Sequence, residues 1–321
     1  MQDWLTKLNF NPLPPLVECD NRAIVYFAEK DCKDKTNISR EVIQALVEPQ
    51  HLLKKQLDNG SWKYPGRLSE IRMQENYNQI ETFRNIGFLI EKYDFDRTHP
   101  AMEKAAEYLF TFQTEEGDFR GAYGNQYATT YSAMITELLI KGGYGSDPRI
   151  EKSLEWFLSI RQNDGGWTVP LRTVKANYFE VMYADTIQPD RTKPFSHLVT
   201  GMVLRAFAES EKYNNREEIR NAAVLLISRF FKRDKYPDRS SVDYWYKFSF
   251  PFWFTDLLTS LDSISKIGFS PGEENIKKAL EWFVEKQEDD GTWRLKLLRG
   301  RDKYLYLWIS LVVCRIFSRF Y

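Results

Sequence analysis

Cysteine is scarce in this chain. Of 321 residues only Cys19, Cys32 and Cys314 are cysteines, and none belongs to a C-x-x-C pair. Neither a disulfide framework nor a cysteine-rich zinc site is expected. Histidine is limited to His51, His99 and His197. Neither sign of charge is in excess, since Lys plus Arg and Asp plus Glu both number 45. Nothing therefore points to nucleic acid or an anionic membrane surface as a partner. No segment approaches the ~18 uninterrupted apolar residues of a transmembrane helix. The opening MQDWLTKLNFNPLPPL lacks a basic region followed by an apolar run, so a cytoplasmic protein without a transmembrane segment is expected. The patterns G-x-S-x-G, H-E-x-x-H and the P-loop are missing too, which removes common hydrolase, metalloprotease and nucleotide-binding readings. No resident metal or cofactor is expected.

Aromatic residues are abundant instead, at 15% of the chain with nine Trp. Such large flat side chains must line a core or a pocket. A repeat accounts for several of them. Gln56 opens QLDNGSW, ending at Trp62, and Gln113 opens QTEEGDF, ending at Phe119. Arg161 opens RQNDGGW, ending at Trp167, and Gln287 opens QEDDGTW, ending at Trp293. In each copy a glycine (Gly60, Gly117, Gly165, Gly291) stands two residues before the aromatic, and an acid or amide (Asn59, Glu116, Asp164, Asp290) precedes the glycine. The aromatics are separated by 57, 48 and 126 residues. The last step is about twice a repeat length, so a degenerate copy is expected between them. FFKRDKYPDR, at 230–239, fits best.

Each copy follows an amphipathic helical pattern. Ile150, Leu154, Phe157 and Leu158 recur near helical spacing with charges between them,. Asp147 and Pro148 before them suit an N-cap and a first helical residue. The segment near 271–287 opens similarly at Ser270-Pro271-Gly272-Glu273. The motif glycine is expected at the C′ position of this helix, with positive φ. Between copies lie segments apolar on most faces: 125–143, 195–210, 250–268 and 304–320, with 72–91 as a further example. Helices of that kind are buried nearly all round. The alternation of a buried helix, a surface helix and a turn predicts an all-α fold, an α/α toroid of about five to six helical hairpins. It is expected as a single domain over 1–321, with 1–20 as an N-terminal extension and the first hairpin near 20–57. The helix at 302–320 is expected to close the ring.

Q-x-x-D-G-x-W after an amphipathic helix resembles the repeat of squalene and oxidosqualene cyclases and, more loosely, of protein prenyltransferase β-subunits. The resemblance runs over roughly residues 39–320 and implies the toroid shared by those proteins. It also implies a structural clamp on the outside of the barrel for Gln56, Trp62, Gln113, Phe119, Asp164, Trp167, Gln287 and Trp293. The cyclases carry a D-x-D-D-T stretch whose activated carboxylic acid protonates an alkene or epoxide. Here Thr200-Gly201-Met202-Val203 resembles the family's T-A-x-V, but Ser196, Leu198 and Val199 stand in place of the acids, and D-x-D-D occurs nowhere. The prenyltransferases bind zinc through Asp-x-Cys and a distant His, and no Asp-x-Cys occurs either,. If the chain is an enzyme, its activity is therefore expected to be terpene-cyclase-like or prenyl-transfer-like, but neither zinc-dependent nor of the D-x-D-D type.

Arginines follow the motifs. Arg67 and Arg172 each lie five residues after a motif Trp, Arg120 follows Phe119, Arg239 follows the degenerate copy, and Arg294, Arg299 and Arg301 follow Trp293. In a toroid those segments converge on one end of the barrel, together with the positive N-termini of the inner helices. Arginine forks there suit a phosphate or carboxylate. Alternatively they pair with the local acids Glu70, Asp118, Asp238 and Asp302. Below this rim the inner segments offer Tyr77, Tyr127, Thr130, Tyr131, Trp245, Trp253, Tyr304 and Trp308, which either fill the barrel or line an apolar well. Glu81, Glu137 and Asp256 are acids within inner-helix patterns, where each needs a partner or a function. Asp185 and His197 fall near the mouth.

Three functions follow. One is binding of an isoprenoid, or a prenyl diphosphate with accompanying Mg²⁺, in the aromatic well, with Arg67, Arg120, Arg172 and Arg299 at the head group and Tyr127, Tyr131, Trp253 and Trp308 on the chain. Another is a non-catalytic toroid that carries a lipid or engages a protein. The third is a carbohydrate-active barrel with Glu81 and Asp256 as paired carboxylates. Asp185, His197, Asp256 and Glu81 are the candidate catalytic residues.

Overall fold

The apolar and amphipathic segments fold into two nested rings. The computed structural model describes residues 3–33, 37–66, 77–174, 176–298, 300 and 302–321. Its inner ring holds α2 (Arg22–Cys32), α5 (Tyr77–Tyr93), α7 (Thr129–Leu139), α10 (His197–Ala208), α12 (Leu257–Ile267) and α14 (Leu305–Phe320). Each packs on the next, and α14 packs back on α2. Around them lie α3 (Arg40–Gln44), α4 (Val47–Leu53), α6 (Pro100–Phe110), α8 (Pro148–Ser159), α11 (Glu217–Ser228) and α13 (Glu274–Glu285). The remaining outer position, against α14, is filled by a 3-10 turn at Asp3–Lys7 and by α1 (Leu13–Val17). A single turn, α9 (Tyr178–Val181), lies in the connection before α10. The described residues thus form the α/α toroid, with six inner helices among them.

The repeated phrase is the fastener of this ring. Each motif Trp indole donates to a carbonyl ten residues earlier, at the end of its own outer helix: Trp62 to Leu52 at 2.8 Å, Trp167 to Phe157 and Trp293 to Phe283, both at 2.7 Å. It thereby satisfies one of the carbonyls that a helix C-terminus leaves open. The backbone N–H of each motif aromatic is accepted by a hydroxyl of the next inner helix. The pairs are Trp62 with Thr82, Phe119 with Ser132, Trp167 with Thr200 and Trp293 with Ser310, all at 2.9–3.0 Å. The glutamine reaches the neighbouring outer element. Gln56 Nε2 donates to Ala101 O of α6 at 2.8 Å, and Gln113 Nε2 to Arg149 O of α8 at 2.7 Å. Gln287 exchanges two bonds with Phe10, of 2.8 and 3.0 Å, and so holds the N-terminal segment.

Two details differ from the sequence reading. The motif glycine is not at C′; Gly291 lies six residues past the end of α13 at φ +83. Its turn is pressed so hard against the N-terminal segment that a Cβ would stand 2.4 Å from Asn11 O, and only glycine fits,. In the third copy Arg161 does not take the glutamine's part. Gln162, one residue on, donates to Asp190 O and Lys193 O at 2.8 and 2.9 Å, so this motif clamps a loop.

The segment 250–268 does not form one helix. Asp256 caps α12 through a reciprocal bond with Thr259, so the helix begins only at Leu257,. The preceding residues, Ser249–Thr255, run non-helically into the ring. Phe250 stacks on Trp308 of α14 at 5.2 Å, Trp253 on Phe83 of α5 at 5.6 Å, and Phe252 lies under Lys141 and Arg205. Thr255 Oγ1 donates to Leu198 O of α10 at 2.6 Å. Gly201 of α10 admits Thr255, whose side chain would stand 2.4 Å from an added Cβ. An aromatic strap thus occupies part of the lumen. Trp245, expected on an inner helix, sits in a 3-10 turn before this strap. Its indole donates to Lys232 O at 2.9 Å, in the turn that follows α11 and carries the degenerate copy.

The C-terminal ends of five inner helices are laced by buried charge. Arg205 approaches Glu137 at 2.6 Å, and Lys141 approaches Glu91 at 2.6 Å and Glu137 at 2.9 Å. Lys266 bridges Glu209 and Asp262 at 2.6 and 2.8 Å, and Arg319 also binds Asp262. Four cations thereby meet four acids, which leaves the network neutral. Cations are also favoured at helix C-termini.

Candidate functional site

The strap divides the lumen into two cavities. The first, of about 830 Å³, lies between α5, α14 and the strap and reaches α4. Its apolar wall is built from Phe83, Phe88, Met134, Leu138, Trp253 and Trp308. These residues face it because α5 and α7 present apolar positions inward and because the strap turns Trp253 toward Phe83. Cations stand among the rings. The Arg84 guanidinium lies 5.5 Å from the Trp253 ring and pairs with Glu81 at 3.0 Å. Lys92, 3% exposed, holds Asp302 at 2.6 Å, and its ammonium stands 5.1 Å from Phe88 and 5.2 Å from Trp308. Burial lowers the Lys92 pKa more strongly than Asp302 raises it. The cavity therefore combines aromatic walls with four cations, Arg84, Lys92, Arg205 and Lys303, and four acids, Glu48, Glu81, Glu91 and Asp302.

The second cavity, of about 540 Å³, lies on the other side of the strap, at the N-terminal ends of α7 and α10. Tyr123, Tyr127, Arg172, Asp238 and Phe254 are among its walls. Consecutive strap residues thus serve opposite cavities, Trp253 the first and Phe254 the second.

The sequence candidates divide between these places. Glu81, Trp253 and Trp308 line the first cavity; Tyr127 and Arg172 line the second. Tyr131 packs between the rings of Phe83 and Tyr123, at 5.7 and 5.4 Å. Arg120 is engaged by Asp118 at 2.9 Å and Glu116 at 2.6 Å, and Arg172 is held in a two-pronged fork by Asp238 at 2.6 and 2.7 Å. These are the local acid partners that the sequence offered as the alternative to an anion-binding rim. Arg67, Glu70, Arg299 and Arg301, like 72–76 of the expected fifth-helix segment, lie outside the described residues. Tyr127 donates to Glu116 and receives Gln188, and burial leads in pushing its phenol up to about 12.

Two of the four acid–base candidates, Asp256 and His197, are committed within the fold. Asp256 caps α12 and lines neither cavity; burial lifts its pKa to about 7. The Glu81–Asp256 pair proposed for sugar chemistry therefore does not share a cleft. His197 stacks on Trp245 at 4.6 Å, and burial holds its pKa down at about 4, so it is neutral. Its neighbour Asp234 is occupied with Ser196 Oγ and Leu198 N, both at 2.9 Å. The Asp185 side chain is exposed, and its backbone carbonyl accepts from Gln126 at 3.2 Å. Among the described residues no three His, Cys, Asp or Glu side chains converge as a metal site, and no helix is long and apolar enough to cross a membrane. Phe83, Arg84, Lys92 and Asp302 were not singled out for the site. The available signal was the pair of cations, Arg84 and Lys92, inside an otherwise inward-facing helix.

Residues 81–186, which carry the second and third motifs, match the squalene-hopene cyclase C-terminal domain. A probable squalene–hopene cyclase of Sinorhizobium fredii is 31% identical over 86 residues, 27% of this chain and 13% of that protein. Over this stretch the chain is similar to squalene–hopene cyclases. The matched stretch spans only 13% of that relative's length. Two solved structures resemble it more distantly. A polysaccharide lyase shares 13% identity at a TM-score of 0.47, over 94% of this chain and 89% of that one. The type II terpene cyclase MstE from Scytonema shares 12% at 0.30, over 84% and 95%.

Proposed function

We propose that this toroid binds an isoprenoid-class ligand, an apolar branched chain with an oxygen-bearing or diphosphate head, in the first cavity. The supporting observation is an aromatic wall in one 830 Å³ space with the cations Arg84 and Lys92, whose acid partners Glu81 and Asp302 a ligand anion would have to displace or share. That volume lies within the range of about 300–1,000 Å³ typical of small-ligand sites. Phe83, Trp253 and Trp308 take the chain, and Arg84 and Lys92 face the head. A diphosphate would bring its own Mg²⁺. Binding rather than cyclisation is favoured, because the acids of D-x-D-D are replaced by Ser196, Leu198 and Val199 and neither His197 nor Asp256 is available as a proton donor.

Thermal shift and calorimetry with farnesol and geranylgeranyl diphosphate test the proposal. Both ligands are expected to raise the melting temperature, Trp253→Ala to abolish the shift, and Lys92→Met to weaken the diphosphate more than the alcohol. No shift with either ligand, or full binding by Trp253→Ala, refutes the assignment.

A further inference from the structure

The second cavity is independent of that reading, and its chemistry is different. Five tyrosines line it, Tyr123, Tyr127, Tyr178, Tyr236 and Tyr244, with Phe254 of the strap. Aliphatic side chains contribute little beyond Val169, Leu171, Leu198 and Val199. Tyrosine offers a flat apolar face with a hydrogen-bonding tip. A hydrocarbon chain needs only the face; the Tyr236 hydroxyl, which donates to Pro194 O at 2.6 Å, still accepts from a ring's O–H groups while the tyrosine faces take its C–H groups.

Charge narrows the ligand further. Asp238 is consumed by the Arg172 fork, so those two groups cancel. Arg239 is left over. Its guanidinium lies 3.8 Å from the Phe254 ring and 5.2 Å from that of Tyr244, and no carboxylate among the described residues lies within ion-pair distance. The backbone at Arg239 holds φ at +49, a conformation unusual for a residue with a side chain,. A stacked guanidinium keeps its edge free to grip a carboxylate or phosphate with two parallel bonds. We infer that the second cavity is a binding site for an acidic sugar, a hexuronate or a sugar phosphate, with its ring on the tyrosines and its anion on Arg239.

Calorimetric titration with a hexuronate trisaccharide, its neutral methyl ester and a hexose phosphate tests this. At least one of the two anionic probes is expected to bind at least about tenfold more tightly than the neutral ester, as one charge-assisted contact allows. Arg239→Gln is expected to reduce that binding to the level of the ester with an unchanged melting temperature. Tyr244→Ala is expected to weaken all probes that bind. Whichever anionic probe binds identifies the anion. Equal binding of ester and acid, unchanged affinity in Arg239→Gln, or no binding of any probe at millimolar concentration overturns the inference. Lys92→Met, whose contacts all lie on the first cavity's side, is expected to leave sugar binding intact. Failure of one site is thereby separated from failure of the other.

Discussion

Replacing Arg205 with Met tests whether the buried charges hold one another. Arg205 and Glu137 are 4% and 1% exposed, with Nη2 and Oε2 at 2.6 Å. Removing one partner of such a pair leaves an uncompensated charge and costs about 3–5 kcal/mol. Glu137 keeps a second cation, since Lys141 Nζ stands 2.9 Å from Oε1. The lower end, about 3 kcal/mol, is therefore expected, a large share of the ~5–15 kcal/mol that holds a domain together. Equilibrium urea denaturation measures it. Arg205→Met combined with Glu137→Leu should recover most of the loss, because a neutral packed pair avoids desolvation of both ions. Acid sensitivity gives a second readout. Burial pushes the Glu137 pKa up, but Arg205 and then Lys141 pull harder, and the net direction is down. The stability linked to Glu137 is thus present above the ordinary carboxylate range and is lost as pH falls through its depressed pKa. Without Arg205, burial gains the upper hand and acid unfolding should begin at higher pH. A single variant within about 1 kcal/mol of the parent, or a double variant no better than the single one, would refute the reasoning.

The fasteners and the cap of α12 give two more outcomes. Thr82→Val keeps the shape but deprives the buried Trp62 N–H of its acceptor at 3.0 Å; a loss of about 1–3 kcal/mol is expected in the same denaturation assay, and no loss would show that this hydroxyl is not a fastener. Asp256 has a folded pKa raised by burial to about 7, so its contribution is full below about 4 and is lost as pH rises through 7. Asp256→Asn should remove that part of the pH slope of stability, and an unchanged slope would contradict the burial argument.

The ring was legible because its fasteners are written in the sequence. Asp147 and Pro148 open α8 as their types require, with the Asp147 side chain accepting from Arg149 N. The strap was not legible. FPFWFTDLL is apolar on every face and satisfies a helical pattern, yet Asp256 and Thr259 start the helix within it. The capping pair D-x-x-T was the overlooked signal. The sequence pointed to Arg120, Arg172 and Arg239 with Asp118 and Asp238 as candidate partners, but not to Asp238 reaching Arg172, which lies 66 residues away in the chain. The first cavity's cations were hidden for the opposite reason: Arg84 and Lys92 sit inside a helix whose pattern reads as core.

Gln287 fastens Phe10, 277 residues earlier in the chain. Every other fastener joins neighbours in sequence, so the ring can be assembled hairpin by hairpin as the chain emerges. This last clasp cannot engage until residue 287 has been made. If the clasp is open, the N-terminal turn and α1 are not held over α14, and the flanks of α2 and α14 are left as unsealed apolar surfaces. A nascent or partly unfolded chain therefore resembles an open horseshoe, with its two ends complementary to each other and to the ends of another copy. The same clasp that completes the monomer is the place where exchange between two chains would begin.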